Sequence, residues 1–371
     1  MKQITKQNRR LLSLSALLLA AGCLGLSLFP APRFSETENR MLAELPTVSA
    51  EKLADGTLTA ALDTYAAERM PLRRELRHLR AAYHLALGEG QMQNILLCRD
   101  GSLTRRGACS QRALSQNLAV LTALSQKWGQ DGVDFTLAVA PRRVDARKEV
   151  LPRFYDTTGD LAVWQRVCAT LPQAVCFEGL SEDIYWYRTD HHWTTHGAYA
   201  AYVALADKLG YTPFPAVDFK QVTVSKAFYG TSHAAAGIPF IRPDSIVLYR
   251  FAGDGELEVR CNGVLAPFAG LYDTEKLQTR DGYGIFLGGN HGVVEIGTGE
   301  GDTRPVLTVI KDSFANALLP FLARHFRIVA VDPRYAGRAD LSLLQDAEHV
   351  LFLCGMQTLT DSFALKPLQG I

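Results

Sequence analysis

The sequence carries almost no excess of either charge: 39 basic residues face 38 acidic ones, for a formal net charge of +1. Without a global field nothing in the composition recruits nucleic acid or an anionic surface, and a charged partner has to be recognised locally. CxxC pairs are missing, which weakens zinc-ribbon and thioredoxin-like readings. No internal repeat or low-complexity tract stands out. At 371 residues and 47% hydrophobic, the chain has the material for one large α/β domain or two ordinary ones, and disorder is not expected.

What is present starts with a hydrophobic run. Lys2, Lys6, Arg9 and Arg10 precede residues 11–29, "LLSLSALLLAAGCLGLSLF", which hold no charge. At about 1.5 Å per residue this run just covers a hydrocarbon core of about 30 Å. Residues 1–29 are therefore expected to form a basic cytoplasmic tip and a single-pass anchor in the cell membrane, with the remaining chain extracytoplasmic. A cleaved signal peptide is the competing reading; the run ends in "FPAPRF", a poor cleavage site. Cys23, ending "AAGC", is read as an ordinary membrane cysteine because the apolar span continues beyond it. An exported chain permits disulfides, and Cys98 with Cys109 and Cys168 with Cys176 are close enough in sequence to pair.

Residues 30–90 read as an exposed stem followed by helical periodicity over 62–87, divided at Pro71, with "RRELRHLR" giving a solvated basic face. Residues 91–371 read as the main domain. "NILLCRDGSLTRRG" has the pattern of a hairpin. The runs at 133–141, 304–312, 326–333 and 348–355 are short and continuously apolar, as in strands buried on both faces. Helical patterns lie at 111–128, 196–210 and 313–326. The alternation predicts an α/β fold with a doubly wound, mostly parallel sheet. Between about 214 and 303, short segments separated by Gly, Pro and Asp turns suggest an inserted β-rich layer.

The segment "YWYRTDHHWTTHGAYAAY" concentrates polar chemistry. Asp190 and His192 are two apart, so on an extended segment both would leave one face while His191 points the other way. A carboxylate beside an imidazole suits a general base, and a structural Asp-His hydrogen bond reads equally from this stretch alone. Thr194 or Thr195 caps the following helix and Gly210 ends it. Ser313 stands where an apolar strand gives way to a helical pattern, either as nucleophile or as plain N-cap; beside Asp190 and His192 it completes a triad. In "LGGNH", Gly289 permits close backbone approach and Asn290 can donate to an oxyanion, with a tight turn as the alternative. Tyr187 and Trp193, in the aromatic run, are expected along an acceptor cleft. His192 and His196 are spaced as metal ligands, but no glutamate follows as in HExxH. No metal or cofactor is expected. Arg142, Arg143 and Arg147 are read as a solvated loop.

Together, "FSETENRMLAELP", "YRTDHHWTTHGAYAAY", "FYGTS", "FLGGNH" and "VIKDSFANALLPFLARHFRIVAVDPRY" resemble the DHHW family, relatives of the alginate O-acetylation proteins AlgJ and AlgX. The resemblance implies an SGNH-hydrolase-like fold in which Asp190 orients His192, His192 activates Ser313, and Ser313 becomes acylated. It implies an O-acetyltransferase or acetylesterase acting on hydroxyls of a cell-surface or secreted polysaccharide, with a membrane-bound O-acyltransferase delivering the acetyl group. The turn "LLCRDGSLTRR" departs from the more aromatic turn of relatives. A non-catalytic carbohydrate-binding or scaffold component of a polysaccharide assembly complex is the alternative.

Overall fold

Side chains alternate across a strand, so a run apolar at every position needs cover on both sides. A computed structural model shows how this chain supplies it. It describes residues 11–369 apart from 16, 19, 23–32, 36–39, 71, 108, 178 and 346. Two compact units emerge, residues 1–89 with 237–239, and residues 90–236 with 240–371. The first holds the two-residue strands β1 (Phe34–Ser35) and β2 (Arg40–Met41) and the helices Ala50–Ala54, Thr57–Arg69 and Arg73–Ala86. Among the described residues no helix is long and apolar enough to cross a membrane. The span expected at 11–29 includes positions 16, 19 and 23–29, which, like Cys23 and Pro71, lie outside the described residues.

The second unit begins with a three-stranded antiparallel sheet of β3 (Gln91–Met92), β4 (Ile95–Leu97) and β5 (Leu103–Arg105). The strand β6 (Asp134–Ala140) follows the helix Gln111–Gln130. Next come β7 (Lys220–Phe228) and β8 (Asp244–Arg250), then β9 (Glu258–Cys261), β10 (Val264–Leu265) and β11 (Val293–Gly297). The chain closes with β12 (Val306–Lys311), β13 (Arg327–Val331) and β14 (His349–Gly355). Seven strands form the main sheet in the order β10-β9-β11-β13-β12-β14-β6. Its β13-β12-β14-β6 part is parallel, while β11, β9 and β10 add to it antiparallel.

Alternation sorts the strand residues into two cores. Ala138, Ala140, Leu307, Val309, Leu351 and Leu353 join the cluster that includes Ala198, Ala201, Tyr202 and Leu205 of the helix Thr195–Leu209. Leu137, Val139, Ile310, Val350 and Phe352 face Leu114, Leu118, Leu121 and Leu124 of the helix Gln111–Gln130. Helices therefore cover both faces, as in a doubly wound α/β fold. Burying one such side chain stabilises by about 1.5–3 kcal/mol, so these clusters hold β12 in place.

Three expectations change. The sheet is mixed rather than mostly parallel, and the segment 214–303 is not one separate layer. Only β7 and β8 pair by themselves, whereas β9, β10 and β11 extend the main sheet through the edge of β13. The pattern at 313–326 breaks into a 3-10 turn, Ser313–Ala317, and a short helix, Leu319–Leu322, with Pro320 in the first turn, where a missing N–H is tolerated. The sulfurs of Cys168 and Cys176 lie 3.0 Å apart; Cys98 and Cys109 are not joined in a disulfide.

Candidate active site

The parallel strand β12 has parallel neighbours on both sides and ends beneath Lys311, Asp312 and Ser313. Asp312, rather than Ser313, caps the turn that follows. Its Oδ1 accepts the Phe314 N–H at 2.9 Å, and its Oδ2 accepts the Gly355 N–H at 2.7 Å and the Thr358 hydroxyl at 2.5 Å. With capping done by its neighbour, the Ser313 hydroxyl is left for other work. The Ser313 N–H, at the start of the turn, donates to no acceptor among the described residues.

Ser313 Oγ lies 2.8 Å from His192 Nε2, and His192 Nδ1 lies 2.6 Å from Asp190 Oδ1. All three are buried, with Ser313 the most open at 9% exposure. Asp190 Oδ1 also accepts the His192 N–H at 3.0 Å, and its Oδ2 accepts the Thr231 N–H at 2.7 Å and hydroxyl at 2.9 Å. These bonds commit the carboxylate as acceptor on both sides, so His192 Nδ1 carries the proton and Nε2 is the ring's acceptor toward Ser313.

The loop holding Asp190 is fixed from three directions. Asp244 accepts the N–H groups of Arg188 and Thr189 and the Thr189 hydroxyl. Arg143 donates to the Tyr187 carbonyl at 2.6 Å. Thr194 caps the helix Thr195–Leu209, and Gly210 closes it at a φ of 68°. Trp193 Nε1 donates to the Phe314 carbonyl at 3.0 Å, tying this loop to the turn that carries Ser313.

Several sequence expectations fall here. The segment around Asp190 is bent rather than extended, so His191 does not point away. Its ring lies 3.8 Å from that of His192, and its Nδ1 meets Thr231 Oγ1 at 2.7 Å. Trp193 and Tyr187 are buried at 0% and 1% exposure, which takes both out of a solvent-facing cleft. Trp193 packs edge-on to Phe177 and Phe314, and Tyr187 to Phe228 and Tyr283. The Gly289 N–H donates to the Phe286 carbonyl, and its own carbonyl accepts from Asn316, so Gly289 serves a turn at a φ of 103°. The expectation for Asn290 is not among them: it is exposed, and among the described residues only its Oδ1 is engaged, accepting from Asn316. His196 turns to the Tyr249 hydroxyl at 2.7 Å. The ligand atoms of Asp190, His191 and His192 lie within 4.8 Å of one another, but Asp190 and His192 are engaged with each other. Arg142, Arg143 and Arg147 are buried rather than solvated, because Asp145, Asp160, Asp100, Asp183 and Glu149 neutralise them.

Sequence reasoning missed Tyr283, which stacks flat on His192 at 3.9 Å between centroids and donates to the Ser313 carbonyl at 3.2 Å. It also missed Thr231, in the segment "FYGTS", which donates to Asp190 Oδ2. The Asp190 carboxyl is pushed up by burial, but His191, His192 and the hydrogen bonds outweigh this and hold it well below the usual carboxylate range. Burial, with His192 adding, depresses the His191 ring to about 3. The unfolded chain protonates that ring near 6.5, so between pH 6.5 and about 3 it binds more protons than the folded chain, and stability falls with acidification. Melting temperature followed from pH 7 to pH 4 is expected to drop, and to drop less steeply in His191→Asn; equal slopes would refute the assignment.

The AlgX model, described as an SGNH hydrolase-like domain of an acetyltransferase, matches residues 96–238, and the DHHW protein model matches residues 175–332. A DHHW family protein from Eubacterium siraeum is similar in structure, with 21% identity, a TM-score of 0.60, and coverage of 75% of this chain and 96% of that one. Bacillus cereus PatB1, solved with a sulfonyl adduct, has 18% identity and a TM-score of 0.58, covering 73% and 97%. The O-acetyltransferase domain of Pseudomonas putida AlgJ has 16% identity and a TM-score of 0.46, covering 72% and 93%. The AlgX-type match, with the shared fold of the Eubacterium siraeum protein and PatB1, places the chain in the SGNH-hydrolase-like, AlgX-like α/β fold. No curated protein matches the chain.

Proposed function

With a DHHW segment and an AlgX-type SGNH hydrolase-like segment both matched in this chain, we propose that it is an extracytoplasmic O-acetyltransferase, able also to hydrolyse acetyl esters, that works through an acyl-Ser313 intermediate. The observation that carries the reading is the buried, hydrogen-bonded line Asp190–His192–Ser313 at the carboxyl end of β12. Ser313 Oγ attacks the acetyl carbonyl and gives its proton to His192 Nε2, while Asp190 stabilises the imidazolium. His192 returns the proton to the departing donor oxygen as that C–O bond breaks. An acceptor hydroxyl then gives its own proton to His192, attacks the acetyl-serine, and releases Ser313 with the proton restored. The Ser313 N–H and the amide nitrogen of Asn290 are the donors proposed for the tetrahedral oxyanion.

The acceptor would be a hydroxyl of a cell-surface or secreted polysaccharide. The acetyl group would arrive from a membrane-bound O-acyltransferase, and the apolar run at 11–29 would anchor the chain in the cell membrane. Incubating the protein with an activated acetyl ester and mapping its peptides by mass is expected to place one acetyl group on Ser313, with none on the Ser313→Ala protein. Equal labelling of the two proteins would sink the reading.

Gly230 supplies a sharper geometric test. A Cβ there would stand 2.3 Å from both Cβ and Oδ2 of Asp190, so Gly230→Ala has to displace the carboxylate. A displacement on the order of 1 Å costs about 100-fold in rate, and that loss is expected in acetyl-ester hydrolysis at an unchanged KM. A wild-type rate would mean that the position of Asp190 does not govern turnover.

A further inference from the structure

The helix Arg73–Ala86 buries Ala81, and its outer side is not the simple basic face that "RRELRHLR" suggests. Leu72, Leu76, Leu79, Tyr83 and Leu87 are all between 46% and 71% exposed. Spaced by three or four, they fall on one stripe of a helix, which runs from the N-cap, Leu72, to the C-cap, Leu87. Large apolar side chains scattered singly over a surface are ordinary, whereas a continuous exposed stripe marks a place of contact.

The charges beside the stripe say what kind of contact. The helix holds Arg73, Arg74, Arg77 and Arg80 against a single acid, Glu75. Arg80, next to Leu79, is exposed. Glu75, four residues before Leu79, is held by Arg74 at 2.8 Å. An apolar stripe edged by arginines suits the boundary of an anionic lipid leaflet, where leucine and tyrosine enter the acyl region and guanidinium groups meet phosphates. A second copy of the chain suits it less well, because a twofold pairing of two such stripes brings arginine-edged surfaces together. The same compact unit also exposes Leu11, Leu12, Leu14, Leu17 and Leu18, a second apolar segment that the same acyl layer would cover.

We propose that this helix lies flat on an anionic membrane surface, with Leu72, Leu76, Leu79, Tyr83 and Leu87 in the acyl boundary and Arg74 and Arg80 reaching the headgroup phosphates. This contact is separate from the triad, and it holds whether or not the run at 11–29 spans the bilayer.

Hydrogen–deuterium exchange of the full chain tests this, read at the peptide covering residues 72–87. The probes are vesicles of phosphatidylcholine alone and of phosphatidylcholine mixed with phosphatidylglycerol, each protein being compared with itself in buffer. Exchange at this peptide is expected to slow by about tenfold on the anionic vesicles and less on the neutral ones. High salt should reverse the difference, since each arginine at a charged surface contributes about fivefold in binding. Replacing Leu76→Gln, Leu79→Gln and Tyr83→Gln together changes only exposed side chains, keeps a good helix former at each position, and is expected to abolish the slowing. Arg74→Gln with Arg80→Gln should instead remove its dependence on anionic lipid. Exchange that ignores the vesicles, slowing equal on the two lipid compositions, or slowing that the triple substitution leaves intact would each overturn the proposal. Slowing that appears without lipid and grows with protein concentration would overturn it in favour of a second copy.

Discussion

Ser313→Ala is expected to lower kcat for acetyl-ester hydrolysis by about ten-thousand- to million-fold, the range seen when the nucleophile of such a hydrogen-bonded triad is removed. The size of the loss follows from the geometry. His192 Nε2 has one partner in line, the Ser313 hydroxyl at 2.8 Å, and Asp190 is committed behind the ring. Among the described residues, His192 Nε2 has no other side-chain hydrogen-bond partner. The fold should survive, since a buried hydrogen bond contributes about 0.5–1.5 kcal/mol net and the Asp312 cap that shapes the turn is untouched. Steady-state kinetics with a thermal melt as the control decides the matter, and a loss of less than tenfold would remove Ser313 from the chemistry.

Asp190→Asn should cost about ten-thousand-fold with little change in shape. Thr231 donates to one carboxylate oxygen through both N–H and hydroxyl, so the oxygen of an asparagine would turn to that side and its NH2 would face His192. A donor opposite Nδ1 forces the imidazole into the other tautomer, with the proton on Nε2 and no acceptor for the Ser313 proton. The positive charge formed on the ring in the transition state would also lose its counter-ion. Activity within tenfold of wild type would show that the carboxylate only pins the loop, the other reading its sequence neighbourhood allowed.

The contrast between these two residues and others in the same segment explains what the sequence could convey. Asp190, His192 and Ser313 were legible because each combined a chemical type with a local signal: a carboxylate and an imidazole on the loop entering a capped helix, and a junction between strand and helix; the alternation that pairs Asp190 with His192 on an extended segment does not hold on this bent loop. Trp193 and Tyr187 shared that segment, yet aromatic side chains pack inward or line a cleft with equal ease, and only tertiary contacts distinguish the two. His191 went astray because the alternation rule holds for extended backbone and this loop bends. The buried arginines at 142, 143 and 147 were misread for another reason. Arg143 is neutralised by Asp100 and Asp183, about 40 residues away on either side, and a charge looks solvated until its partner is known. Tyr283 lies in a turn-rich stretch with no periodicity to mark it. The edge strands from 258 to 297 showed their β character but not their neighbours, since pairing with β13 is non-local.

The separation between His192 and Ser313, 121 residues along the chain, carries a consequence for how the protein comes into being. Closing so large a loop costs conformational entropy that local helix formation does not repay. The hairpin of β7 and β8 and the strands β9, β10 and β11 all lie within that loop. Helices are local and can form while His192 still lacks Ser313, so the Asp190–His192–Ser313 line is completed only when this long-range contact closes. On the acyl-serine reading, a newly made chain would stay chemically silent until that contact is made.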